Sequence, residues 1–342
     1  MSASSTTTNK TNSASSNLRL QLTHLLDPSL SNNTDDGKDV IAGLTQNTKS
    51  LSPRYFYDDR GSQLFEQICE LPEYYPTRTE ASILQTHAAE IAQLTGQCEL
   101  VELGSGSSTK TRLLLDAYTQ LANSVQYIPI DVSGGILKDS AQQLLQDYPN
   151  LNIHGLVATY QQALANLEPT KLPGRMVFFL GSSLGNFTPQ MCHRFFQQLT
   201  AALQRGEYFL LGIDLQKPKP IIEAAYNDSQ GVTAAFNLNM LNHLNWRFQG
   251  NFDLDLFTHK AIYNQSECQI EMYLHSKSTH TVRLESLDLT VEFTEGEKIL
   301  TEISRKFNLE EMQSDLEKQG LETLKVWTDP QQWFGMLLCQ KA

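Results

Sequence analysis

From residue 99 to residue 213 the chain alternates short apolar runs with amphipathic stretches, and this alternation restricts its fold more than any other feature. The runs at 99–103, 125–130, 151–157, 176–180 and 208–213 have strand length, while 110–121, 136–146, 161–167 and 189–203 carry apolar residues at helical spacing. Strands joined through helices lie parallel, with helices on both faces, so the expected class is α/β with a doubly wound sheet. After Asp214 the regularity stops, and it resumes with a helix at 309–319 and strands at 324–328 and 333–340. The intervening segment holds an Asn-rich helix at 232–244 and strand-like alternation at 269–274, 281–284 and 289–293, which reads as an inserted α+β unit. Before the sheet, helical pieces are expected at 17–26, 39–46, 63–70 and 79–92, with a loop at 28–38. The expected organisation is a disordered Ser/Thr/Asn-rich tail at 1–18, one domain from 79–214 plus 307–342, and a second from 19–78 plus 215–306.

Composition removes several function classes. With 342 residues, 40% hydrophobic and 19% charged, the chain can bury a sizeable core. Its net charge of -12 and singly scattered Lys and Arg argue against a nucleic-acid partner, which requires clustered cations. No apolar run approaches the roughly 18 residues of a membrane-spanning helix. Five cysteines with no CxxC pair outline neither a disulfide framework nor a zinc site, and residues 1–18 lack the apolar core of a secretory signal. The expectation is a cytoplasmic monomer acting on small molecules without a metal.

The segment Val101-Glu-Leu-Gly-Ser-Gly-Ser-Ser-Thr-Lys110 falls on a strand-to-helix turn. Gly104 and Gly106 let the backbone approach a ligand closely, and the following helix offers free N–H groups. Thr109 stands where a nicotinamide fingerprint has its third glycine, and no G-K-[ST] follows, which tilts the ligand away from NAD and ATP. Asp131 ends the second strand, where a carboxylate can accept hydrogen bonds from both ribose hydroxyls. A tight turn and a helix cap would explain the same residues without a ligand; taken together they describe a bound nucleoside. S-adenosylmethionine is the natural candidate, because its doubly wound methyltransferase fold carries an antiparallel final strand pair.

Seven pieces in order, SPRYFYD (52–58), LPEYYPTR (71–78), VELGSGSSTKTR (101–112), LGSSLGN (180–186), GVTAAFN (231–237), LDLTVEF (287–293) and TEISRKF (301–307), resemble the histidine-specific N-alpha methyltransferases of ergothioneine biosynthesis. The resemblance implies a Rossmann-like methyltransferase domain joined to a substrate-binding domain built from the N-terminal segment and the insertion. It implies that the methyl donor meets Gly104, Gly106, Lys110, Asp131, Thr159 and Tyr160, and that the amino acid meets Tyr57, Phe65, Tyr74, Gly181, Asn186, Tyr226, Met272, Glu302 and Ser304. Thr159-Tyr160 departs from the Asp-Phe often found at the adenine edge; a Thr hydroxyl can still bond adenine, without the charge.

Read without the family, the same residues are ordinary. Phe65 on an amphipathic helix and Met272 on an alternating strand are core types, Tyr57 and Tyr74 could pack between domains, Asn186 could be a loop turn and Glu302 a solvated strand end. The chemistry nevertheless suits them. Asn186 and Tyr226 can donate to a carboxylate, Tyr57 can position an amine, Glu302 can accept an imidazole N–H, and Tyr74 or Ser304 can donate to the bare ring nitrogen. The expected activity is trimethylation of the histidine α-amine to hercynine. The rivals are a family member acting on another aromatic amino acid and a non-catalytic S-adenosylmethionine-binding regulator.

Overall fold

The computed structural model describes residues 19–25 and 37–342; the expected tail at 1–18 and nearly all of the loop at 28–38 lie outside the described residues. In chain order the strands among the described residues are β1 (Leu20–His24), β2 (Lys49–Ser50), β3 (Glu99–Leu103), β4 (Val125–Asp131), β5 (Leu151–Val157), β6 (Arg175–Phe179), β7 (Tyr208–Asp214), β8 (Phe257–Asn264), β9 (Gln269–Ser276), β10 (His280–Leu284), β11 (Leu289–Phe293), β12 (Lys298–Arg305), β13 (Leu321–Thr328) and β14 (Phe334–Lys341). Eight form one sheet in the order β1-β5-β4-β3-β6-β7-β14-β13. The first six are parallel, and β14 and β13 close the edge antiparallel, as the resemblance implies for a doubly wound sheet of this kind.

Parallel strands buried on both faces read as continuous apolar runs, which is why β3 to β7 are visible in the sequence. Apolar clusters cover the two faces, one around Leu84, Leu114, Leu144 and Leu338, the other around Val101, Phe196, Leu211 and Leu316. The helix expected at 79–92 runs from Tyr75 to Thr95, because Pro76 falls in its first turn, where the missing N–H costs nothing. The one expected at 63–70 starts at Asp59, where the Asp58 carboxylate caps it by accepting from Gly61 N at 2.6 Å.

The segment 17–26 is not helical. Leu20–His24 is a strand that pairs parallel with β5. The leucines at 18, 20 and 22 recur at period two, the strand period, and Arg19 anchors the edge by donating to the carbonyls of Leu145, Tyr148, Pro149 and Leu151. The piece 19–25 therefore belongs to the large sheet and not, as expected, to the unit that contains 37–74.

A second sheet, β2-β12-β9-β8, and the hairpin β10-β11 come from the insertion and the N-terminal segment. They share one apolar cluster with the helices Asp59–Cys69, Lys219–Tyr226 and Val232–Phe248, through Phe56, Ile68, Ile222, Phe236, Leu274 and Phe293. Among the described residues no helix is long and apolar enough to cross a membrane.

Asp214 joins the two sheets. It ends β7, its carbonyl accepts from Phe307 N at 2.9 Å, and Leu215 bridges Phe307. Its carboxylate, 1% exposed, pairs with Lys306 at 2.9 Å just past β12, pairs with Lys217, and accepts from the Tyr75 hydroxyl at 2.8 Å. Burial pushes the Lys217 ammonium down to about 8 against the pull of Asp214. On Lys306 burial pushes the same way, yet Asp214 and Tyr226 carry its pKa above the ordinary value. Removing one member of a buried ion set strands the rest, at a typical cost of about 3–5 kcal/mol. Asp214→Ala should lose that much unfolding free energy in urea denaturation, whereas an unchanged midpoint and slope would show that Asp214 does not hold the sheets together.

Candidate active site

The chain leaves β3 for β4 on one side and later returns to place β6 on the other. The loops after β3 and β6 consequently diverge, and a crevice opens at the carboxyl ends of the strands, where ligands bind in such sheets. The first loop begins at Gly104, whose φ of +71° is left-handed and whose absent side chain makes room for Tyr160; a Cβ there would lie 2.8 Å from the Tyr160 hydroxyl. Asp131 holds the loop by accepting from Gly106 N at 3.0 Å and from Ser133 N at 2.9 Å, and each carboxylate oxygen keeps a further lone pair. Beneath it the fully buried Glu102 accepts from Thr111 and Tyr127; burial lifts its pKa to about 7.

This end of the crevice fits a nucleoside. Ser105 between the two glycines has a buried hydroxyl without a partner among the described residues, the kind of orphan a polar ligand satisfies. Val132, beside Asp131, leaves an apolar surface 58% exposed. Tyr160 stands half-buried against Phe179 with ring centroids 5.1 Å apart, and burial, then Asp131, raise its pKa. Thr159 is largely committed elsewhere. Its hydroxyl caps the helix Tyr160–Ala165, accepting from Gln162 N at 3.3 Å and donating to Gln162 Oε1 at 3.0 Å, which leaves one lone pair for an adenine amine.

Opposite stands an aromatic chain. Tyr57 meets Phe65 at 5.9 Å, Phe65 meets Tyr74 at 6.4 Å, and Tyr74 meets Tyr226 at 6.0 Å, each edge to face. Tyr57 is 50% exposed, whereas Phe65 packs on the apolar cluster of the second sheet. Burial first, then Tyr226, Cys69, Glu302 and Tyr57, hold the Tyr74 phenol well above its ordinary pKa.

Strand β12 supplies the polar side of this wall through a bulge. Thr301 is the extra residue between the pairs Leu300↔Tyr273 and Glu302↔Met272, and its hydroxyl donates to the Met272 carbonyl at 3.0 Å. One inserted residue reverses the parity of everything after it. Glu302 and Ser304 therefore share the face of Ile299, opposite Met272 and Ile270, on a side otherwise apolar. Burial raises the Glu302 carboxyl to about 7, against the lowering pull of Lys306 and then Asn186. Asn186 comes from the loop after β6, where Ser182 is held at φ 55° with its hydroxyl accepting from Asp214 N at 2.8 Å.

Lys306 gives its three N–H groups to Asp214, to the Tyr226 hydroxyl at 3.0 Å and to Ser304 Oγ at 2.9 Å. Because an ammonium only donates, both hydroxyl oxygens accept from it. Tyr226 and Ser304 lie 3.1 Å apart, so one hydroxyl proton bridges them and the other is left for a ligand.

Tyr57, Phe65, Tyr74, Tyr226, Ser304, Glu302 and Met272 thus form one connected wall, Gly104, Gly106, Asp131, Thr159 and Tyr160 a second, and Gly181 and Asn186 come from the loop after β6. Lys110, paired with the buried Glu80, stands beside Gly181. Sequence reasoning missed Glu80, Asp214, Lys217 and Lys306. Lys306 did carry a trace, since Glu302, Ser304 and Lys306 alternate at the strand period. Among the described residues no group of three or more His, Cys, Asp or Glu is placed to hold a metal ion.

Residues 36–341 match the family described as histidine-specific, SAM-dependent methyltransferases. The chain is 45% identical over 301 residues to the histidine N-alpha-methyltransferase of Mycolicibacterium smegmatis, covering 88% of this chain and 93% of that protein. It is 41% identical to the enzyme of the same name from Mycobacterium tuberculosis, covering 89% and 94%. Ergothioneine biosynthesis protein 1 of Neurospora crassa is 29% identical, over 86% of this chain and 33% of that longer protein.

The raised Glu302 pKa has a consequence for stability. A folded-state pKa of about 7 against an ordinary 4.5 means that the stability present with the protonated acid is complete below 4.5 and lost as pH climbs through 7. Glu302→Gln, which stays neutral, should leave the melting temperature unchanged at pH 4 and raise it at pH 8, by about 1–3 kcal/mol of stability. Scanning calorimetry at both values tests this; equal shifts at the two pH values would mean that Glu302 is not forced to ionise in an apolar site.

Proposed function

The chain belongs to the family of histidine-specific, S-adenosylmethionine-dependent methyltransferases, and from that premise we propose that it trimethylates the α-amine of L-histidine to hercynine for ergothioneine biosynthesis. One observation carries the choice of histidine. Glu302 offers an acceptor and the Tyr226–Ser304 pair a donor on one wall, the complement of a neutral imidazole with its N–H and its bare nitrogen. An indole has the N–H but no bare nitrogen, so it would leave the hydroxyl proton unpaired.

The remaining residues have roles that follow from the reaction. When bound, the donor supplies an electrophilic methyl carbon on a sulfonium, which passes to the amine lone pair while the sulfur keeps the bonding electrons as a thioether. Each ammonium substrate must first lose a proton, and with the phenols Tyr74 and Tyr226 raised by burial that proton leaves to solvent. The protein's task is placement in a near-attack geometry. Tyr57 and Asn186 would orient the amine and carboxylate ends, Met272 would set the depth of the ring site, and Gly104, Gly106, Asp131 and Tyr160 would hold the adenosine end. The aromatic chain Tyr57–Phe65–Tyr74–Tyr226 suits the methylated ammonium, which is attracted to ring faces. In this reading 37–74 with 215–305 form the substrate unit, and the large sheet forms the donor unit.

Incubating the full chain with S-adenosylmethionine and the twenty amino acids should yield trimethylated histidine by mass spectrometry, and another favoured amino acid would overturn the reading. Glu302→Ala deletes the acceptor and opens space beside Met272. The ratio of kcat/KM for histidine over tryptophan should then fall by well over tenfold, as expected when a buried polar contact governs discrimination. A constant ratio would remove Glu302 from imidazole recognition.

A further inference from the structure

Glu80 is 0% exposed, a rare state for a carboxylate, and none of the functions assigned above uses it. It sits in the second turn of the helix Tyr75–Thr95 and reaches under the crevice. Both of its oxygens lie 2.9 Å from Gly181 N, and Oε2 pairs with Lys110 Nζ. Gly212 on β7 makes this reach possible, because a Cβ there would collide with Glu80 Oε1. One carboxylate therefore spans the loop after β3 and the loop after β6, the two walls of the crevice.

Resting on the reading of the methyl donor above, we infer that Glu80 is a positioning residue for the donor's amino-acid tail, acting through Lys110 and Gly181. The adenosine end is accounted for at Asp131 and Tyr160, on the β4 and β5 side, so the tail extends toward β3 and β6, where Lys110 and Gly181 lie. That tail carries a carboxylate, which a lysine can receive. A lone lysine on a flexible stem holds no fixed place, and with its side chain 22% exposed it would also be a partly desolvated charge without a counter-ion. Glu80 cures both defects: it pins Nζ from a site that water does not reach and makes the pair neutral before the zwitterionic tail arrives. Its grip on Gly181 N ties the same pair to the loop that presents Asn186, so donor and amino acid are registered on one anchor.

The experiment compares two ligands that differ by the tail alone. S-adenosylhomocysteine carries it, and 5′-methylthioadenosine has the adenosine and thioether without it. In calorimetry with the full chain, Glu80→Gln should weaken S-adenosylhomocysteine at least tenfold and leave methylthioadenosine within twofold. Because the effect passes through Lys110, adding Glu80→Gln to Lys110→Met should change the S-adenosylhomocysteine Kd by less than twofold, a non-additivity expected of coupled residues. The double variant removes both charges together and leaves neither stranded, so it serves if the single one does not fold; it too should lose S-adenosylhomocysteine at least tenfold and keep methylthioadenosine. Equal weakening of both ligands would make Glu80 a mere tether of helix to sheet, and unchanged S-adenosylhomocysteine binding would also overturn the inference. A parent protein that binds neither ligand would instead overturn the reading of the donor itself.

Discussion

The buried carboxylate of Asp214 is the constraint on which the rest of the structure depends. It closes β7, faces Lys306 beyond β12, and takes in Lys217 and the Tyr75 hydroxyl, all out of water. Taking such charges out of water costs several kcal/mol per ion, and replacing them with apolar residues is often neutral or better for stability. What an apolar substitute could not do is orient hydroxyls. Through Lys306 the charge on Asp214 governs which way the Tyr226 and Ser304 protons point, so a link between two sheets also sets the polarity of this wall of the crevice.

The same economy of parts recurs at Lys110 and Glu80. In both places a buried carboxylate fixes a lysine: Glu80 holds the partly exposed Lys110, and Asp214 holds Lys306, which is fully enclosed behind the Tyr226 and Ser304 hydroxyls. The two carboxylates stand on neighbouring elements, since Glu80 lies against Gly212 of β7, two residues before Asp214. Helix Tyr75–Thr95 contributes to both, with Tyr75 on Asp214 and Glu80 on Lys110. Tyr74 immediately precedes that helix, which places the aromatic wall, the Lys110–Glu80 pair and the junction of the sheets on one element.

Sites of this kind oppose folding. Glu302 sits on an apolar face opposite Met272, and Glu102 is enclosed beneath the glycine loop; burial raises both to about 7. Among the described residues Ser105 keeps an unpaired hydroxyl and Ser182 a left-handed backbone. Such features lower stability and persist where the surrounding packing over-determines them. The two apolar layers on the large sheet and the cluster under the small one supply that surplus.

Local pattern sufficed for much of this protein. The alternation from 99 to 213, the glycine turn at Gly104, Asp131 at a strand end and the aromatic segments around Tyr57 and Tyr74 were all legible, because strand and helix periods and turn chemistry are carried by neighbouring residues. The strand at Leu20–His24 was legible in principle, in its period-two leucines, and was misread as helix. Other features have no local signature. Thr301 is a bulge because of how β12 meets β9, and that single residue turns Glu302 and Ser304 toward the apolar side. The contacts Tyr226–Ser304, Glu80–Gly181 and Tyr75–Asp214 join residues 78, 101 and 139 positions apart. A charged residue in a helix or at a strand end looks solvated until the fold brings its partner to it. The sequence by itself determined the sheet, the nucleoside turn and the kinds of side chain available. The tertiary structure alone decided which carboxylate faces which lysine, and so which way the protons of the site point, because charge pairing in a desolvated interior is a property of distance in space.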